Sequence, residues 1–428
     1  MARILAYTSP ARGHLFPLTP ILDELHSRGH EIALRTLGSE VPLMQSRGFD
    51  AAPISERIEA IELEDFHATN PRKALASVVK TFGERAGHDA PDLQKAIEDE
   101  RPEALIVDIN SWGAASAAEA WGGPWASFCP YPLALRSADA PPFGPGLPPA
   151  KGPLGRLRDR LLEPLVFGTI EKQMLPTINH VRDRLGSPAL EGIDEIVTRP
   201  PLLLYMTAEP FEYPRGDWPQ SIVMVGPCVW EPPADPPAWL GEITRPIVLV
   251  TTSSEFQDDG KLIATALKAL AGEDVEVIAT VPSGDPGQFD IPENARVEGF
   301  VPHGPVLDRA VCAITHGGMG ATQKALARGV PVCAVPFGRD QLEVARRVEV
   351  SGAGTRLTSG RLNPDRLRAK VREAMEFTAG AWRVAAAFEA TGGPGAAADA
   401  VEGRLLGSPE SRLKGRRAFG AGTKIMSE

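Results

Sequence analysis

The sequence predicts an α/β protein built from two Rossmann-like, doubly wound parallel-sheet domains that face each other across a cleft. Three observations predict it. A strand–helix–strand unit opens the chain at residues 3–36 and the pattern restarts at residues 247–250. Between them, residues 227–240 (PCVWEPPADPPAWL) carry five prolines in fourteen residues, a stiff extended linker. Finally, an apolar strand at 311–315 empties through Thr315, His316, Gly317 and Gly318 into a helical run at 322–328. The length of 428 residues fits two or three domains.

The first unit is strand 3–8, the turn-rich loop SPARGH at 9–14, helix 18–27 with Pro17 near its start, and strand 31–36. Such a unit implies parallel strands with a right-handed crossover. His14 therefore falls at the C-terminal end of a strand, where open α/β sheets place ligands. On position alone it also reads as a surface histidine. Strand 104–107 ends at Asp108 and repeats the arrangement. A carboxylate there either caps a turn or holds the far nitrogen of His14, fixing its tautomer. Residues 41–47 and 71–98 read as helical, with an irregular acidic stretch at 54–69 between them. Helix 113–120 and strand 124–128 follow. Residues 131–155 are too rich in Pro and Gly for regular structure. Residues 157–185 read as one or two helices with Pro164 and Pro176 as starts or kinks, before strands at 201–206 and 221–225.

In the second half, strands are expected at 247–250, 275–280, 296–298, 311–315, 330–335 and 354–357. Helices are expected at 258–270, 342–350, 364–377 and 381–405, the last interrupted at 391–395. A glycine turn feeding a helix gathers free N–H groups and partial positive charge, which suits phosphate, although alone it is equally a tight turn. His316 stands beside it. Asp340 and Gln341 reach the same sheet edge, and Phe300–Val301–Pro302 offer an apolar shelf. Together these describe a nucleotide-sugar site.

The net charge of −10 argues against nucleic acid. Four widely spaced cysteines without CxxC read as buried thiols. Residues 1–8 run straight into a strand with no signal-peptide pattern, and no run of 18 apolar residues exists, so a cytoplasmic protein without a membrane span is expected. Asp258–Asp259 and Glu62/Glu64/Asp65 read as solvated faces rather than a metal-binding pair. No GxGxxG follows the first strand, which disfavours a dinucleotide oxidoreductase.

Residues 300–341, FVPHGPVLDRAVCAITHGGMGATQKALARGVPVCAVPFGRDQ, resemble the donor-binding signature of the UDP-glycosyltransferase superfamily, which includes bacterial macrolide and antibiotic enzymes. The resemblance extends over residues 3–406. It implies the GT-B arrangement: an acceptor domain at 1–226, a linker at 227–244 and a nucleotide-sugar domain at 245–380. Helices at 381–406 would return to the first domain, and the tail at 407–428 would be disordered or partly a cloning remnant. It implies an inverting, metal-independent hexosyltransferase for natural-product glycosylation, as in antibiotic biosynthesis. The nucleotide sugar would be a co-substrate, with no cofactor. The acceptor would be a small lipophilic molecule bound by residues 54–98 and 131–186. A second copy of the chain, as a homodimer, is an open expectation.

His14 matches the family's general base and Asp108 its orienting acid. Ser254 matches a serine on the β-phosphate. Val301 would offer backbone groups to the base and Phe300 a stacking face. His316, Gly318, Met319, Gly320, Ala321 and Thr322 would cradle the pyrophosphate, with Asp340 and Gln341 on the sugar hydroxyls. This chain departs from the pattern at Ala321, where Ser or Thr is common, at Ser253, which replaces a glycine, and at Phe300–His303, which replaces Trp-x-Pro-Gln. Lys324 stands where a glutamate grips the ribose diol. A lysine accepts no hydrogen bond, so a dTDP-sugar is expected over a UDP-sugar. Alternatively Lys324 faces solvent and Gln323 contacts the sugar. Two competing readings are a non-catalytic auxiliary protein on this fold and another two-domain nucleotide-sugar enzyme such as an epimerase.

Overall fold

The computed structural model describes residues 1–65, 70–253 and 260–407. In the first half, β1 (Arg3–Tyr7), α1 (Arg12–Ser27), β2 (Glu31–Thr36), α2 (Val41–Ser46), β3 (Asp50–Pro53), α3 (Glu56–Glu59) and α4 (Pro71–Glu100) come first. Next are β4 (Ala104–Asp108), α5 (Trp112–Trp121), β5 (Trp125–Cys129), α6 (Pro153–Arg184), α7 (Glu195–Thr198), β6 (Leu202–Tyr205) and β7 (Ile222–Met224). Among the described residues they form a seven-stranded parallel sheet, ordered β3-β2-β1-β4-β5-β6-β7.

The second half holds β8 (Ile247–Thr251), α8 (Gly260–Leu270), β9 (Glu276–Thr280), β10 (Ala295–Glu298), α9 (His303–Leu307), β11 (Ala310–Thr315) and α10 (Met319–Leu326). It continues with β12 (Val332–Ala334), α11 (Gln341–Val350), β13 (Gly354–Arg356), α12 (Pro364–Met375), α13 (Thr378–Ala390) and α14 (Gly393–Val401). Its described strands make a six-stranded parallel sheet ordered β10-β9-β8-β11-β12-β13. Both faces of each sheet are covered. On β1, Ile4 and Ala6 pack beside α1 residues such as Leu18 and Leu22, whereas Leu5 and Tyr7 pack with Leu93 of α4 and Ala114 of α5. This period-two alternation into two cores explains why the strands read as uninterrupted apolar runs.

Both sheets reverse their winding at one place, between β1 and β4 and between β8 and β11. Loops leaving the two strands at such a point diverge and open a crevice. The four thiols are buried, as expected. No described helix is long and apolar enough to cross a membrane.

Several elements differ from expectation. α1 begins at Arg12 rather than residue 18 and runs through Pro17 and Pro20. Burial of Leu15, Leu18, Ile21, Leu22 and Leu25 offsets the hydrogen bonds those prolines remove. Of the two readings for residues 157–185, the single helix holds: α6 runs through Pro164 and Pro176. Two short elements, β3 and α9, were hidden by Pro and Gly in their sequences. α9 is held by Glu231 of the linker, whose carboxylate accepts the N–H of His303 (3.1 Å) and Gly304 (2.8 Å). The crossing back to the first half occurs at Gly392 and Gly393, with φ of +82° and +54°. α13 stays in the second core through Ala381, Val384 and Phe388. α14 joins the first core, where Arg28 pairs with Asp399 and Glu402.

Candidate active site

The β1/β4 crevice brings His14 and Asp108 together. The strands are in register at Tyr7 and Val107, so the residues that follow emerge side by side. His14 lies in the first turn of α1, and its Nδ1 is 2.8 Å from Asp108 Oδ1. Asp108 is fully buried. Its Oδ2 accepts the Ser9 N–H (2.9 Å) and hydroxyl (2.6 Å), and its Oδ1 also accepts the Asn110 N–H (2.9 Å). Burial pushes this carboxyl up, but the charge and hydrogen bond of His14, with the hydrogen bonds of Ser9 and Asn110, outweigh burial and hold it below its ordinary value. An ionised Asp108 at Nδ1 keeps the proton there and leaves Nε2 as the basic nitrogen. Asn110 Nδ2 lies 3.1 Å from Nε2, and the Tyr131 hydroxyl donates to Asn110 Oδ1 at 2.8 Å. Sequence reasoning missed both; the signal available was Asn110 two residues beyond a strand-end carboxylate.

The β8/β11 crevice holds the glycine turn. Gly317 has φ of +85°, and Gly318 caps α10 in an extended conformation. The first helical bond of α10 runs from Thr322 N to Gly318 O, so the N–H groups of Met319, Gly320 and Ala321 precede the ladder. Gly320 is exposed, and a Cβ added there would meet open space. His316 is buried, with no hydrogen-bond partner for Nδ1 among the described residues. Burial, helped by the charge of Arg339 and opposed by a bond to the Thr251 backbone, pushes its pKa down to about 4. It is therefore a neutral imidazole at pH 7, able to hydrogen-bond but carrying no charge.

The remaining expected residues divide. Asp340 is half-buried and lies within the field of His14. Burial raises its carboxyl, partly offset by Arg339 and His14. Phe300 is exposed, whereas the Val301 side chain packs in the second core. Met319 is buried and offers its backbone alone. Thr322 does not present its side chain to the turn: it is fully buried, its hydroxyl sits 3.3 Å from that of Thr315, and its N–H is spent on Gly318. Gln341 starts α11, and its Oε1 accepts the N–H groups of Phe337 (2.7 Å) and Gly338 (3.1 Å), bracing the loop that presents Asp340. Ser254 lies outside the described residues, as do Asp258–Asp259 and the tail beyond 407.

Three further expectations are corrected. Lys324 does not face solvent: its Nζ is 3.3 Å from Glu231 Oε2. Gln323 does not contact the cleft through its amide nitrogen, which donates to Met206 O at 2.8 Å. Asp65 is not a solvated face: its carboxylate is 7% exposed and takes the fork of Arg339. Glu62 and Glu64 are exposed, as expected.

The turn makes a direct prediction. A Cβ on Gly318 would lie 2.3 Å from His316 Nε2, and the buried ring cannot yield freely. Gly318→Ala should displace the imidazole and weaken nucleotide binding about tenfold or more, taking roughly 1.5–3 kcal/mol for a hydrogen bond to a charged group. Titration calorimetry with the nucleoside diphosphate checks this; unchanged affinity in a folded variant would remove His316 from the site.

The chain is similar to known proteins over most of its length. Residues 264–402 match the family model described as erythromycin biosynthesis protein CIII-like, C-terminal domain. The chain is 35% identical over 395 residues to 4'-demethylrebeccamycin synthase of Lentzea aerocolonigenes, covering 88% of this chain and 92% of that protein. It is 24% identical over 426 residues to demethyllactenocin mycarosyltransferase of Streptomyces fradiae, covering 95% and 87%. Among solved structures, the glycosyltransferase of kitacinnamycin superposes with a TM-score of 0.73 at 23% identity, covering 94% of this chain and 99% of that one. VinC in complex with dTDP superposes at 0.69 and 22% identity, covering 96% and 100%. The two-sheet fold, the extent of these matches and the strand-end site agree: the chain belongs to the antibiotic and macrolide glycosyltransferases of the UDP-glycosyltransferase superfamily and has their GT-B fold.

Proposed function

We propose that this enzyme transfers a sugar from a nucleoside-diphosphate donor to a hydroxyl of a small lipophilic natural product, with inversion and without a metal ion. The observation that carries the reading is the His14–Asp108 pair in one crevice, with Asp340 within its field and the α10 N-terminus in the other crevice. His14 Nε2 takes the acceptor proton, and Asp108 stabilises the imidazolium that forms. The acceptor oxygen attacks the anomeric carbon from the face opposite the pyrophosphate, which inverts it. The leaving pyrophosphate is met by the N–H groups of Met319, Gly320 and Ala321 and by neutral His316. Asp340 accepts from sugar hydroxyls, and closure around the donor excludes water.

The nucleotide follows from Lys324. Its ammonium is committed to Glu231, and the oxygens of Glu231 already take two backbone N–H groups. This leaves no carboxylate at that position dedicated to a ribose diol, which supports dTDP over UDP. The likeness to VinC, a protein solved with dTDP, is in the same direction.

A thermal-shift comparison of dTDP and UDP, with EDTA present, tests the reading. At about 100 times Kd a ligand adds about 2.7 kcal/mol, on the order of 5–10 °C for domains of this size. A larger shift with dTDP is expected. A larger shift with UDP overturns the nucleotide assignment, and no shift with either favours the auxiliary-protein alternative.

A further inference from the structure

The loop between β12 and α11 carries two neighbours with different surroundings. Asp340 lies in the field of His14. Arg339 instead reaches the other domain, where Nε and Nη2 donate to Asp65 Oδ2 and Oδ1 at 2.8 and 2.7 Å. A guanidinium fork on both oxygens of one carboxylate fixes direction as well as distance. Arg339 also holds φ of +52°, a left-handed conformation that a residue with a Cβ adopts only when its surroundings compel it.

A second tie meets the same corner. Glu343, in the first turn of α11, accepts the N–H groups of Gly144 and Gly146, each at 2.8 Å, and Arg346 Nε donates to Gly146 O at 2.8 Å. A Cβ on Gly146, whose φ is +60°, would lie 2.6 Å from Leu342 O. Two separate segments of the first domain, around Asp65 and around Gly146, are thus fastened to the corner that presents Asp340.

We propose that Asp65 and Arg339 are positioning residues for sugar transfer: their paired side chains fix the loop that presents Asp340 relative to the first domain, which carries His14. Neither touches the reacting atoms. The proposal rests on the transferase reading above, and its test separates the two.

The test uses the full chain with Asp65→Asn, Arg339→Lys and the double variant. Asp65→Asn keeps the shape of the side chain, and Arg339→Lys keeps the charge but not the fork. Three readouts are taken: the rate of transfer, the share of donor lost to water, and amide hydrogen exchange over residues 336–341. Misplacement of reacting groups by about 1 Å costs on the order of 100-fold. Each single variant should therefore lose roughly 10- to 100-fold in kcat, with donor affinity nearly unchanged. The hydrolysed share should rise and exchange at 336–341 should quicken. Because the two act as one unit, the double variant should be no worse than either single.

A kcat within about twofold of wild type, losses that simply multiply in the double variant, or faster exchange with an unchanged hydrolysed share would each overturn the proposal. If Asp65→Asn does not fold, Arg339→Lys carries the same readouts. A wild-type protein that transfers from no donor counts against the transferase reading instead; unchanged exchange in the variants then still overturns the pair.

Discussion

His14→Ala should abolish transfer while leaving nucleotide binding intact. General base catalysis contributes about 10²–10⁴-fold, and the described residues provide no second base at the same position. Asp108 is fully committed to Ser9, Asn110 and His14, and Asp340 lies on the neighbouring domain's loop. The loss should appear in kcat, because His14 belongs to the β1/β4 crevice and the α10 turn to the β8/β11 crevice. Asp108→Asn should be nearly as damaging for a different reason. An amide cannot accept from every donor that now converges on the carboxylate, and it frees His14 to adopt the other tautomer. The check is a steady-state assay paired with the nucleotide thermal shift. Retention of more than about a tenth of wild-type kcat in His14→Ala, against the range expected for a general base, would show that another group deprotonates the acceptor.

What the sequence made legible were residues whose position follows from topology. His14, Asp108 and His316 all stand where a parallel strand ends, and parallel strands are recognisable as short apolar runs bounded by turns. What it concealed depended on partners distant in the chain. Asp65 and Glu62 look alike in an acidic stretch; only Arg339, far along the sequence, distinguishes them. Thr322 looks like a phosphate ligand until Thr315 is seen beneath it. Gln323 and Lys324 are adjacent on α10, yet one reaches Met206 and the other Glu231. The start of α1 was misplaced because Pro17 and Pro20 argue locally against helix, and the burial that overrides them is a tertiary effect.

The largest effect on stability should come from Arg347. It is among the largest fully buried side chains and joins the two domains. Its Nε and Nη2 fork onto Glu212 at 3.0 and 2.8 Å, its Nη1 reaches Glu343 Oε2 at 3.0 Å, and the guanidinium lies 4.3 Å from the Tyr213 ring centroid. Glu212 also takes the Tyr205 hydroxyl and the Tyr213 N–H. Arg347→Ala would leave two carboxylates buried, with Arg215 at 3.5 Å the cation remaining to Glu212 among the described residues. Removing one partner of a buried pair costs about 3–5 kcal/mol, because the charge left behind keeps its desolvation penalty. That corresponds to roughly 6–20 °C in Tm for domains of this size. The pH dependence has a definite sign. Burial pushes the Glu212 carboxyl up, but the charge and hydrogen bonds of Arg347 outweigh it, so the folded value lies below the ordinary 4.5. A depressed carboxyl contributes its full stability above 4.5 and loses it as pH falls through the folded value. The Tm gap between wild type and Arg347→Ala should therefore be widest near neutrality and narrow in acid. Scanning calorimetry from pH 7 down to pH 2, which spans the range below 4.5 where the loss falls, measures it, and a gap that is small or independent of pH would show that the two domains are held together by their apolar contacts rather than by this pair.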